Sequence, residues 1–123
     1  MKAGKIRPDR DQTDAFDRAH FDHYTMQNQD LASEVLGLFL AQLPLTLQLI
    51  ETAAGAEEWK FATHSLKGSS AAVGARKLHY LATELEKLAI PGDVNVRLLR
   101  IEALKAAASE FRDLARRAFP QLG

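Results

Sequence analysis

The sequence predicts an all-α protein: an antiparallel, up-and-down four-helix bundle with an additional short N-terminal helix. Three observations carry this reading. Apolar residues recur at three- and four-residue spacing from Thr13 to the C-terminal end, and no stretch reads as a strand. The breaks between these stretches are short, which favours antiparallel neighbours. The chain has 123 residues, 46% of them hydrophobic, which is enough for one compact core and not for two.

The elements follow in order. Residues 1–12 are polar and lack periodicity, so they are expected to be a flexible N-terminal segment, with a single domain over 13–123. Thr13 or Asp14 caps a first helix running to about Gln27, with Phe16, Ala19, His20 and Tyr24 on one face. Asp30 is the expected N-cap of a long second helix starting at Leu31. Its stripe reads Val35, Leu38, Phe39, Gln42, Leu45, Leu49 and Thr52, and Pro44 inside it is expected to kink or split it. Gly55 ends that helix, and Glu57 and Glu58 open the third near its positive end. Gly74 closes the third helix as a C′ glycine. A fourth helix runs from about Ala75 to Ala89 with Leu78, Leu81, Leu85 and Leu88 as its stripe. Ile90-Pro91-Gly92 turns the chain, and Asp93 caps a last helix whose stripe is Ile101, Leu104, Ala108, Phe111, Ala115 and Ala118.

Composition excludes several classes. Lys+Arg and Asp+Glu are both 16, so the net charge is zero, which argues against nucleic acid as a main partner. No uninterrupted apolar run approaches the roughly eighteen residues of a bilayer span. The first ten residues lack the apolar stretch of a signal peptide. With no cysteine there is no disulfide framework and no thiolate chemistry. These features suit the cytoplasm.

The chemistry concentrates on the third helix. On a helical wheel Trp59, Ala62, Leu66, Ser69 and Val73 form the core-facing stripe, and His64 lies roughly 160–200° from Ala62, Leu66 and Val73. His64 therefore faces water. Lys60, Lys67, Gly68 and Ala71 surround it at i−4, i+3, i+4 and i+7, and no carboxylate sits at i±3 or i±4. Both lysines suit an anionic group. A glycine inside a helix costs about 1 kcal/mol relative to alanine. On an exposed face that cost implies a need for space, here for another backbone approaching the imidazole. A free imidazole has a pKa of about 6.5, so near neutral pH it is largely uncharged and nucleophilic.

His64-Ser65-Leu66-Lys67-Gly68-Ser69-Ser70, followed by Gly74 and then Leu85-Glu86, resembles the histidine-containing phosphotransfer (HPt) domain, from about Phe21 through the last helix. The resemblance implies a cytoplasmic four-helix bundle without kinase activity of its own. It implies that His64 accepts a phosphoryl group from a receiver-domain aspartate and passes it to another receiver. Lys67 would stabilise that group. The implied partners are receiver domains of response regulators and hybrid histidine kinases, docking over Lys60, Phe61, Gly68 and Ala71, with Mg²⁺ on the receiver and no cofactor on this chain. Phe21, Tyr24 and Met26 would form either an apolar docking rim or a cap on one end of the core. The resemblance also implies a polar residue on the following helix that hydrogen-bonds the second ring nitrogen. By spacing this is Glu86 or a residue one turn away, with Lys87 beside it, and it would orient the imidazole tautomer as outer carboxylates do. A structural carboxylate or a surface pair is the alternative.

The remaining features carry less. Ser69 and Ser70 read as structural, with Ser69 back-bonded to Ser65. His20, Asp22 and His23 are too few ligands for a closed metal site, and His79 has no obvious partner, so no metal is expected. The main rival is an adaptor that binds receivers or kinases and never carries phosphate. A structural bundle from a larger sensor kinase and a small metal-binding bundle are further rivals, the last needing paired Glu-x-x-His motifs that the chain lacks. A monomer is expected.

Overall fold

A computed structural model describes residues 15–88 and 92–122. These are all-helical, with no strand among the described residues. Five helices follow one another: α1 (Arg18–Tyr24), α2 (Gln29–Thr52), α3 (Ala56–Val73), α4 (Arg76–Glu86) and α5 (Val94–Ala118), then a 3₁₀ turn at Pro120–Leu122. Thr13, Asp14, Ala89, Ile90, Pro91 and the 1–12 segment lie outside the described residues. Helix α2 packs on α3, α3 on α4, α4 on α5 and α5 on α2, while α1 rests on α3.

Helix ends sit where side-chain oxygens meet orphan amides. Asp17 caps α1 by accepting from the His20 amide, Asn28 caps α2 by accepting from that of Leu31, and Asp93 caps α5 at Asn95 and Val96. The cap of α2 is thus Asn28, not Asp30, which lies in the first turn. The first helix is much shorter than its pattern suggested. Thr25, Met26 and Gln27 leave it, the last two with φ of 56° and 60°, and turn the chain into α2. Gly55 begins α3 as its N-cap and does not end α2, which stops at Thr52.

Pro44 does not split α2, which is one helix of 24 residues. Its core face differs from the expected stripe. Ala32, Leu36, Phe39, Leu43 and Ile50 are buried, whereas Leu38, Leu45 and Leu49 are more than half exposed. The helix holds an 18-residue window of mean hydropathy 1.4, apolar enough by length and composition to cross a membrane, a test that core helices also pass.

The other stripes converge on one core. Leu78, Ala82 and Leu85 of α4 are buried, with Leu81 and Leu88 packed against them. From α5 come Ile101, Leu104, Ala107, Ala108, Phe111 and Ala115. Each large side chain buried this way contributes about 1.5–3 kcal/mol. At one end the rings interlock edge to face, the favoured arrangement. Phe111 meets Phe16 at 5.2 Å and Phe39 at 5.5 Å, and Phe21 meets Phe119 at 5.9 Å. Phe21 is therefore a core residue with no exposed surface and is not available to a partner; it caps one end of the core. Of the face expected on α1, Phe16 packs against the core, but Ala19, His20 and Tyr24 are exposed.

Candidate functional site

Helix α3 is built to be held firmly on one side and left open on the other. Its first turn carries Glu57 and Glu58, which favour the positive end of the dipole. Trp59, Ala62, Thr63, Leu66, Ser70 and Val73 face inward. Ser70 rather than Ser69 completes this stripe, because Ser69 is exposed and donates its hydroxyl to the Ser65 carbonyl. The helix stops at Gly74, whose φ of 76° is left-handed. A side chain there would also strike the Asp17 carbonyl at 2.7 Å, so two separate reasons demand glycine.

Two hydrogen bonds fix α4 against α3. The buried Trp59 indole donates from Nε1 to the Leu85 carbonyl at 3.0 Å. Twelve residues of chain separate His79 from Lys67, yet Nδ1 of His79 lies 3.0 Å from the Lys67 carbonyl. Since a carbonyl only accepts, that nitrogen carries the proton. The first bond seizes the residue next to Glu86 and thereby sets where its carboxylate falls.

That carboxylate lies between the two charged groups of α3. Its Oε2 is 3.1 Å from Nδ1 of His64, and its Oε1 is 2.9 Å from Nζ of Lys67. The Lys67 hydrogen bond is the main reason that the Glu86 carboxyl is held below its usual value of 4.5; partial burial opposes this and the His64 contact adds to it. A carboxylate accepts only, so Nδ1 of His64 is the protonated nitrogen and Nε2 keeps its lone pair in the neutral ring. The imidazole is 69% exposed, which leaves that lone pair open to another molecule.

The surroundings of His64 match a docking face in part. Beyond its chain neighbours and the local backbone of its own helix, no heavy atom stands within 4 Å of a methyl placed on Gly68. Lys60 and Ala71 are exposed and Phe61 is 68% exposed. Tyr24 is exposed on α1, its ring stacked on His20. Lys87 is not part of the cluster, because its ammonium pairs with Glu84 at 3.3 Å. Sequence reasoning missed the Lys67–Glu86 pair and the His79 tie, since both depend on how α4 is aligned with α3. Among the described residues no group of three or more His, Cys, Asp and Glu side chains could hold a metal ion.

The fold and site define a helical protein whose third helix presents an outward histidine, with its ring orientation set by a carboxylate from the next helix. The family model for the Hpt domain matches residues 34–118, and the chain belongs to that family. Hpt domains are phosphocarriers that take part in histidine phosphotransfer in two-component signalling, where they meet receiver domains. No curated protein and no solved structure gives a match.

Proposed function

We infer that this chain is a phosphorelay intermediate whose phosphoacceptor is Nε2 of His64. The single observation that supports this most is the Glu86 contact to Nδ1, which leaves the opposite, exposed nitrogen as the nucleophile. A receiver carrying an aspartyl phosphate docks over α3, using the clearance at Gly68 and the exposed Phe61. The Nε2 lone pair attacks phosphorus in line, the bond from phosphorus to the aspartate oxygen breaks, and the aspartate leaves as a carboxylate. The ring becomes a phosphoimidazole whose positive charge is shared with the Nδ1 proton facing Glu86. Lys67 turns from Glu86 to the phosphoryl oxygens. Divalent metal is expected on the receiver, and a second receiver aspartate removes the group by the reverse path.

The cycle of helix neighbours supports an up-and-down four-helix bundle as the rigid mount, with α1 added at one end. The test is phosphoryl transfer from a labelled, phosphorylated receiver. Wild-type protein should take acid-labile, base-stable label, and His64→Gln should take none while melting as the wild type does. Label on the variant at wild-type level would overturn the assignment.

A further inference from the structure

Helix α2 carries more apolar surface than the core uses. Residues 35–50 contain no charged side chain. Yet only 22% of the most apolar 18-residue window of this helix is buried inside the bundle. Leu38, Leu45 and Leu49 are 63%, 56% and 53% exposed. One exposed leucine is ordinary, but several on one side of a helix form a patch, and such patches mark contacts.

The pattern of that surface is specific. Glu34, Leu38, Ala41, Leu45, Gln48 and Thr52 are all exposed. They follow one another at alternating spacings of four and three residues, the spacing of a seam between two paired helices. The opposite side of the same helix holds Ala32, Leu36, Phe39, Leu43 and Ile50, which are buried. Helix α2 thus has two pairing sides, and the bundle fills one of them.

Charge selects what fills the other. Helix α2 has no lysine or arginine, so its seam offers nothing to the phosphates of nucleic acid or of an anionic lipid surface. It has no carboxylate between Glu34 and Glu51, and Glu51 is paired with Lys105 of α5. A charged partner would lose hydration here without gaining an ion pair. A second copy meets no such cost. Set antiparallel about a two-fold axis at the level of Leu43, Leu45 faces the second copy's Ala41, large against small. Leu38 then faces the turn that carries Gln48 and Leu49, and Glu34 faces Thr52, so no like charges oppose each other. A parallel pair would instead set Glu34 against Glu34. The uncharged stretch is about 24 Å long and about 10 Å wide. That is small for a specific interface, which needs roughly 1,000 Å² in total, so the pair is weak and its population depends on concentration.

We propose that this chain pairs with a second copy of itself through an antiparallel α2–α2 contact centred on Ala41 and Leu45. The contact does not depend on phosphotransfer at His64. The test is sedimentation velocity on the full chain from about 1 μM to about 1 mM, the range in which a weak contact fills. The wild type should pass from one chain to two. Leu45→Lys and Ala41→Glu should each stay single throughout, since each puts a charge on the seam, and both should melt as folded protein because the two positions are exposed. Mixed in equal amounts, these two variants should pair again, because each introduced charge then meets the opposite one across the seam. Leu98→Lys, at an exposed position of α5, should pair as the wild type does. A wild type that stays single at the highest concentration, a Leu45→Lys chain that pairs, a mixture that stays unpaired or a Leu98→Lys chain that stays single would each overturn the proposal. A single wild type that binds neutral lipid vesicles or a receiver domain, with that binding lost in Leu45→Lys, would assign the face to that occupant and overturn it as well.

Discussion

Glu86 holds His64 and Lys67 at once, with one carboxylate oxygen on each, across the seam between α3 and α4. The folded chain thus keeps this carboxyl below its usual value of 4.5. Its contribution to stability is complete above that value and fades as the pH falls through the lowered native one. The partners are partly exposed, so the whole effect is about 0.2–1 kcal/mol. Denaturant titrations of wild type and Glu86→Gln should differ near neutrality and converge in acid. A difference that stays constant across the range would mean that the bridge is not formed in solution.

Glycines 68 and 74 should respond in opposite ways. At Gly68 an added methyl meets nothing within 4 Å, so Gly68→Ala should raise stability by about 0.5–1 kcal/mol through helix propensity alone. At Gly74 the left-handed backbone costs an L-residue about 1–2 kcal/mol, and the methyl would meet the Asp17 carbonyl at 2.7 Å as well. That carbonyl cannot retreat easily, because the Asp17 amide is itself bonded to the Gly74 oxygen at 2.7 Å. Thermal melts of the two alanine variants should therefore move in opposite directions.

A larger side chain at position 68 separates folding from docking. Gly68→Gln should keep the melting temperature at or somewhat above that of the wild type, since Gln is also a better helix former than Gly, while weakening receiver binding at least ten-fold, measured by titration calorimetry. Unchanged affinity would remove the clearance argument.

Trp59 ties the site together from below. Trp59→Phe deletes the donor to the Leu85 carbonyl and should cost about 1–3 kcal/mol, read as a shift of the urea midpoint. A neutral result would show that the indole bond adds nothing net to the α3–α4 seam.

Some of this was legible in the residues and some was not, for physical reasons. Helix α3 has a sharply one-sided pattern, so the outward direction of His64 follows from spacing alone. Helix α2 is apolar on most sides, and its periodicity does not single out a face. Only contact with α3 and α5 decides that Leu36 and Leu43 go inside while Leu38 and Leu45 stay out. Ser69 and Ser70 are adjacent and chemically identical, and a small rotation of the helix exchanges their environments. Glu86 could be nominated by spacing, but its simultaneous hold on Lys67 needed the register between two helices. For Phe21 the residues left docking rim and core cap both open, because α1 is too short for a period to show; burial decides for the cap.

Asp17 caps α1, clasps the Gly74 carbonyl with its amide and pairs with Arg76, and Phe16 beside it is wedged against Phe111. Phe16, Asp17 and Phe21 all lie upstream of residue 34, where the family match begins, and Phe119 lies one residue past its end. Anyone trimming a gene to the recognised boundaries would cut away three of the phenylalanines from that aromatic corner and the latch at the end of the histidine helix, and should expect an insoluble product.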